Sequence, residues 1–182
     1  MSTKRKILNG VLAGLALFFI FTVWYTQRYG MDKVAPFEIN DVSLDNRILI
    51  ATQGSDYKNK IVADVISSFY YDSIYIKIID VMGLGKETIS DWDAMVILHT
   101  WEIGVPPQPV TDFVAKVEDR AKLIVVSTSG SGEEYLAGID GISSASLMYE
   151  IPDQVQLIVD RIYGLITTKR TKEISSILKL EN

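Results

Sequence analysis

The chain contains no cysteine and a single histidine, His99. The first absence excludes disulfides, thiol nucleophiles and cysteine-held iron–sulfur clusters, and is compatible with any redox compartment. The second excludes a histidine-rich metal centre. Acidic residues are missing from the first 28 positions, whose only charges are Lys4, Arg5, Lys6 and Arg28. The remainder carries 14 Lys and Arg against 23 Asp and Glu, a net charge of −9. Such an acidic body lacks the positive footprint that holds a polyanion, so no nucleic-acid partner is expected. Also missing are a nucleophile elbow, a phosphate-binding GxxxxGK[ST] loop and a dinucleotide fingerprint. Gly83-x-Gly85 lacks the third glycine and reads as a turn. What is present is 182 residues, 48% hydrophobic and 23% charged, which suits one ordinary domain plus a small appendage and excludes a disordered or collagen-like chain.

The appendage is at the N-terminus. Ile7–Tyr25 (ILNGVLAGLALFFIFTVWY) has no charge and only Asn9 and Thr22 as polar interruptions. As a helix it spans about 28 Å, enough to cross a bilayer core. Trp24 and Tyr25 end it with rings suited to the headgroup region, and Lys4, Arg5 and Lys6 precede it. A cleaved signal peptide is the rival reading, but WYTQRYG follows the apolar run where a small-x-small site is required. A retained single-pass anchor in the cell membrane is expected, over residues 1–26. The basic residues before the helix favour a cytoplasmic N-terminus and an extracytoplasmic main domain.

Residues 27–45 show no sustained apolar period and read as a linker. From Arg47 short apolar runs alternate with longer amphipathic ones, the pattern of a parallel sheet covered by helices on both faces. Strands are expected at Arg47–Thr52, Ser73–Val81, Asp93–His99 and Lys122–Ser127, and helices at Lys58–Tyr70, Val110–Arg120 and Pro152–Thr167. The short interval between Asp140 and Pro152 leaves room for a brief fifth strand or a connecting helix, but not for both in full. The expectation is an α/β domain over 46–168, a doubly wound parallel sheet of order 2-1-3-4-5 with a short fifth strand, followed by a tail over 169–182. The tail has helical apolar spacing at Ile174, Ile177, Leu178 and Leu180, and is expected to pack on the domain rather than lie on a membrane surface. Ligands of such sheets bind at the carboxyl ends of the strands, here the loops Thr52–Tyr57, His99–Gln108 and Thr128–Asp140.

Over residues 46–166 the chain resembles the flavodoxin-like superfamily. The resemblance lies in the opening strand–loop–helix, in DWDAMVILHTWEIGVPPQPVTDFVAK as third strand and aromatic-bearing loop, and in STSGSGEEYLAGID as the following loop. It implies FMN, with the phosphate held by the first loop and the ring by the two later ones. By position that makes Thr52, Gly54 and Ser55 the phosphate candidates, Trp101 and Tyr135 the ring contacts, and Gly130 part of the third loop. The first loop departs from the family's Ser/Thr-x-Thr-Gly-x-Thr, since Ala51, Gln53 and Asp56 replace expected hydroxyls and only Gly54 matches outright. Ser55 or Asp56 equally suits a helix N-cap, and Trp101 equally suits packing of its loop onto the helix below. His99 closes a strand, where it either meets a ligand or satisfies itself internally. Glu133 and Glu134, adjacent in sequence, read as solvated loop charges.

The stretch Asp140-Gly141-Ile142-Ser143-Ser144-Ala145-Ser146 resembles the acceptor signature of exported flavoproteins that carry FMN as a phosphoester, which makes Ser146 a candidate attachment residue. Ser144 stands where that motif has glycine and Ser146 where it has threonine. The resemblance thus implies a membrane-anchored flavoprotein in electron transfer with a basic protein redox partner. The alternatives are a flavin-free interaction module and a flavin-dependent reductase that turns over a nicotinamide or quinone.

Overall fold

The computed structural model describes residues 3–180 and divides into two compact units, split between Asp32 and Lys33. The first contains helix α1 (Thr3–Tyr29), whose stretch Thr3–Tyr25 is long and apolar enough to cross a membrane. The Thr22 hydroxyl donates to the Phe18 carbonyl at 2.9 Å, so a polar side chain in the apolar run is satisfied within its own helix.

The second unit is a three-layer α/β sandwich. Its sheet has six strands, β1 (Phe37–Ile39), β2 (Asn46–Thr52), β3 (Ile74–Asp80), β4 (Ala94–Thr100), β5 (Leu123–Thr128) and β6 (Ile142–Ser144), in the order β1-β3-β2-β4-β5-β6. Strands β2 to β6 pair in parallel and β1 lies antiparallel on β3, with Phe37 opposite Ile78. The sheet is therefore mostly parallel, and its order departs from the expected 2-1-3-4-5 by this antiparallel edge. The added strand comes from the stretch read as a linker. Its three residues are too few to show alternation, and it is anchored from both ends. The Val34 N–H donates to the Asp80 carboxylate at 2.9 Å, and Asn40, at φ 65°, turns the chain and donates its amide to the Ile74 carbonyl at 2.8 Å.

The pleat sorts the core into two faces. Ile48, Ile50, Ile76, Ile78, Val96, Leu98 and Val126 pack against helices α2 (Asp56–Ser68) and α4 (Ile151–Leu180). Leu49, Ala51, Tyr75, Met95, Ile97 and Val125 face helix α3 (Gln108–Lys116) and the 3-10 turn Val81–Lys86, which contains the Gly83-x-Gly85 pair. With almost every strand residue buried, both faces must be apolar, which is why the strands read as unbroken hydrophobic runs. Between β5 and β6 there is no helix, and β6 is only three residues long. The crowding between Asp140 and Pro152 thus resolves as both a missing helix and a brief strand.

Two helices differ from expectation. Helix α3 ends at Lys116 rather than Arg120, because Val117 is extended and the Asp119 carboxylate caps a separate 3-10 turn at Ala121. Helix α4 runs on to Leu180 rather than stopping at Thr167. No glycine or proline follows Gly164, and the hydroxyls of Thr168, Thr171 and Ser175 fold back onto carbonyls four residues earlier. The expected packing of the tail stops at Lys169, which donates to the Asp93 carboxylate and the Asp45 carbonyl. Beyond it Ile174, Ile177 and Leu178 are exposed.

Candidate functional site

The chain crosses from β3 on one side of β2 to β4 on the other, so the carboxyl ends of β2 and β4 form the topological switch point. Each parallel strand ends there on a polar residue: Thr52, Asp80, Thr100, Thr128 and Ser144. Thr52, Thr100, Thr128 and Ser144 fall on the alternation that faces α2, one step beyond Ile50, Leu98, Val126 and Ile142. Thr100, Thr128 and Ser144 are in register across three strands. A row of hydroxyls therefore lies beneath the first turn of α2.

Lys58 reaches into that row from α2. Its side chain is 1% exposed, and its ammonium donates to Thr100 Oγ1 at 2.5 Å. Thr100 Oγ1 lies 2.9 Å from Thr128 Oγ1, whose proton goes to the His99 carbonyl at 3.1 Å. Thr100 must then donate to Thr128, and the bonds run in one direction, from ammonium through two hydroxyls to a carbonyl. Burial pulls the Lys58 amine down to about 8, against a smaller opposing pull from the Glu102 carboxylate. The charge also sits beneath the N-terminus of α2, where the helix dipole is already positive. Its placement compounds positive potential at the switch point.

Beside it the Tyr57 hydroxyl lies 2.7 Å from Ser144 Oγ, which donates to the Glu150 carboxylate at 2.6 Å and accepts the Ser146 N–H at 2.9 Å. With the Ser144 proton on Glu150, Tyr57 is the donor of its pair. Burial, more than the Glu150 charge, raises the Tyr57 pKa.

The first loop is occupied with its own architecture. Thr52 Oγ1 donates to the Gln53 carbonyl, and Ser55 is the N-cap of α2, accepting from the Lys58 N–H at 3.3 Å. Gln53 bridges to the neighbouring loop, accepting from the Thr100 N–H at 2.7 Å and donating to Glu102 at 3.0 Å. Gly54 is buried within this loop. Trp101 is half-buried against the α3-side core, and its indole N–H is enclosed without a hydrogen-bond partner among the described residues. Tyr135 is exposed, Gly130 lies in open space, and Gly132 carries the steric demand of the third loop, since a Cβ there would meet the Ala145 nitrogen at 2.8 Å. Ser146 is exposed, in the left-handed region at φ 59°. His99 is fully buried, with Nε2 3.0 Å from Ser127 Oγ, and burial lowers its pKa to about 4.

The sequence reading missed Lys58, Thr100, Thr128, Tyr57 and Glu150. The available signal was the hydroxyl that closes RILIAT, AMVILHT, LIVVST and ISS. A lysine in the first turn of an amphipathic helix gives no sign of burial.

No family model matches the chain, and no curated protein matches it. Among solved structures it is similar to the metal-soaked flavodiiron core of Flv1 from Synechocystis sp. PCC6803, at 11% identity and a TM-score of 0.49 over 70% of this chain. It spans 37% of that protein's length. So distant a likeness carries no functional argument, which rests instead on the geometry of the switch point.

Proposed function

We propose that this chain is a membrane-anchored flavodoxin-like protein that binds FMN at the carboxyl ends of its strands and passes electrons to a protein partner. The observation that carries the reading is the buried Lys58 ammonium, set among the Thr100 and Thr128 hydroxyls under a helix N-terminus in an otherwise acidic body. A phosphate dianion placed over the start of α2 would offset that compounded positive potential. The donor set fits the group. Lys58 supplies the charge that the degenerate first loop lacks, and Thr52, Gly54 and Ser55 stand at the phosphate end of the site. Trp101 and Tyr135 are the aromatic contacts in this reading, with Gly130 in the third loop. When bound, FMN supplies the electron-carrying chemistry. The residues bind it, orient it and surround it with negative charge that attracts a basic partner. Residues 7–25 provide the anchor, with the α/β unit outside the cytoplasm.

A second reading, a flavin-free interaction module, is favoured by one observation: Thr52, Gln53 and Ser55 already bond to the protein itself. The visible spectrum of full-length protein purified from its native membrane, taken before and after acid precipitation, separates the two. A flavin band that leaves with the supernatant, and that weakens in Trp101→Ala or Tyr135→Ala, is the expected result. A band retained by the precipitate and lost in Ser146→Ala would instead assign a phosphoester at the exposed Ser146 hydroxyl. Colourless protein that takes up no added FMN would overturn the flavin reading and leave the module.

A further inference from the structure

We propose that the loops at the carboxyl ends of the strands form a face that seats on a lipid surface by inserting apolar side chains. The proposal rests on the reading of α1 as a membrane anchor. Met82 after β3, Ile103 and Val105 after β4, and Leu147, Met148 and Tyr149 after β6 all project into solvent from this one pole.

Ile103 is the most telling of them. Glu102 and Val105 exchange both backbone hydrogen bonds, at 2.9 and 3.1 Å, and close a two-residue turn in which Ile103 has φ 52° and Gly104 φ 75°. Turns with both central residues left-handed favour Asn-Gly, and a β-branched side chain there is strained. Ile103 is 98% exposed, so packing within the protein does not compensate the strain. Uncompensated strain at a loop tip points to a partner outside the chain.

Two features single out a lipid surface as that partner. The chain joins the α/β unit at this same pole, since Val34 is fixed to Asp80 at the end of β3 and only residues 30–33 separate it from α1. A tether that short supplies a high effective concentration, so weak insertion suffices. The tips are also aliphatic, with one tyrosine, the side chains of interfacial insertion. Asp56 at the start of α2 and Glu102 and Glu133 on the neighbouring loops are exposed and oppose anionic headgroups, so a zwitterionic surface is the better seat.

The absence of cysteine makes the test direct. Full-length protein carrying Ile103→Cys, Met148→Cys or, as a control, Tyr71→Cys is labelled with an NBD fluorophore and reconstituted into phosphatidylcholine vesicles with or without doxyl-labelled lipid. Tyr71 is 95% exposed but lies just beyond α2, at the opposite pole. The expected result is that doxyl lipid removes most of the emission at positions 103 and 148 and little at 71. Protein that floats with the vesicles but shows no quenching at 103 and 148, or equal quenching at all three positions, would overturn the lipid-seated face and leave the anchor standing. Protein that fails to float would overturn the anchor and the proposal with it.

Discussion

At the amino-terminal ends of the strands charged groups answer one another, while at the carboxyl-terminal ends a buried cation is met by threonine hydroxyls and a helix N-terminus. At the amino pole the Asp93 carboxylate accepts from the Arg47 N–H at 2.9 Å and from Lys169 at 3.0 Å. The Arg47 guanidinium stands 5.3 Å from the ring centres of both Tyr75 and Trp92, which stack on each other at 6.0 Å. Lys122 closes the cluster on the Trp92 carbonyl at 2.7 Å. Its one blemish is two buried N–H groups, Arg47 Nε and Trp92 Nε1, without partners among the described residues. Here attraction is satisfied within the chain and holds the strand starts together. At the carboxyl pole Lys58 and the α2 dipole add potentials of the same sign, and Ile103 holds a strained turn in solvent. The first arrangement is closed within the chain; in the second, positive potential gathers at a helix N-terminus, with the Glu102 carboxylate partly opposing it.

The sharpest way to break this division is to truncate Trp92. A buried tryptophan that stacks on one ring and lies under a guanidinium should take about 3–5 kcal/mol of unfolding free energy with it in Trp92→Ala, read by urea denaturation, without altering FMN uptake. Weakened FMN binding at unchanged stability would show that the poles are not separable. Next in size is an acid effect confined to the carboxyl pole. His99 has a pKa of about 4 in the fold against 6.5 in the unfolded chain, so between those values the unfolded state binds a proton that the folded state does not. Stability therefore falls as pH drops through that window, by about 3 kcal/mol in all. His99→Gln should flatten the acid limb of a stability–pH curve, and an unchanged limb would place the acid sensitivity elsewhere.

The strands and their burial on both faces were legible because a parallel sheet between helices demands uniform hydrophobicity, and RILIAT, AMVILHT and LIVVST supply it. The edge strand Phe37–Ile39 was not, since three residues carry no period and its pairing depends on Asp80 and Ile74, far along the chain. Nor was the extent of α4, because the signal for a helix end is a stop residue and the tail has none. The site was half legible. Its position at the strand ends follows from the fold, and residue type narrows the cap of α2 to Ser55 or Asp56, of which Ser55 takes it. Lys58 was hidden because burial of a lysine is decided by what lies across the sheet, here Thr100 and Thr128, and helix periodicity says nothing about that.

Lys58→Met tests the carboxyl pole itself. If the amine serves an anion, its loss should weaken FMN uptake by about 10- to 100-fold. The flavin-free protein should meanwhile gain about 1–3 kcal/mol, since a buried charge gives way to an apolar chain of similar length. The same linkage is visible without mutation. With the amine at about 8 in the fold and 10.5 unfolded, the unfolded state holds the extra proton between those values, so the stability of the flavin-free protein should rise as pH rises across them. Destabilisation by Lys58→Met with undiminished FMN uptake would make the amine a fastener of the fold and remove it from the anion site.

The smallest effect concerns how the hydroxyl row carries that charge. Thr128→Val deletes the link between Thr100 and the His99 carbonyl, leaves both without this partner, and should cost about 1 kcal/mol in chemical denaturation. The informative quantity is the coupling with Lys58. In the wild-type protein the ammonium polarises Thr100, which strengthens its bond to Thr128; in the Lys58→Met background the head of the series is gone and the Thr128 hydroxyl has less to accept. A double-mutant cycle should therefore return a coupling of about 0.5–1 kcal/mol, with Thr128→Val costing less when Lys58 is absent. Additivity within about 0.3 kcal/mol would mean that the hydroxyls hold the strand ends together on their own, with the amine merely enclosed beside them.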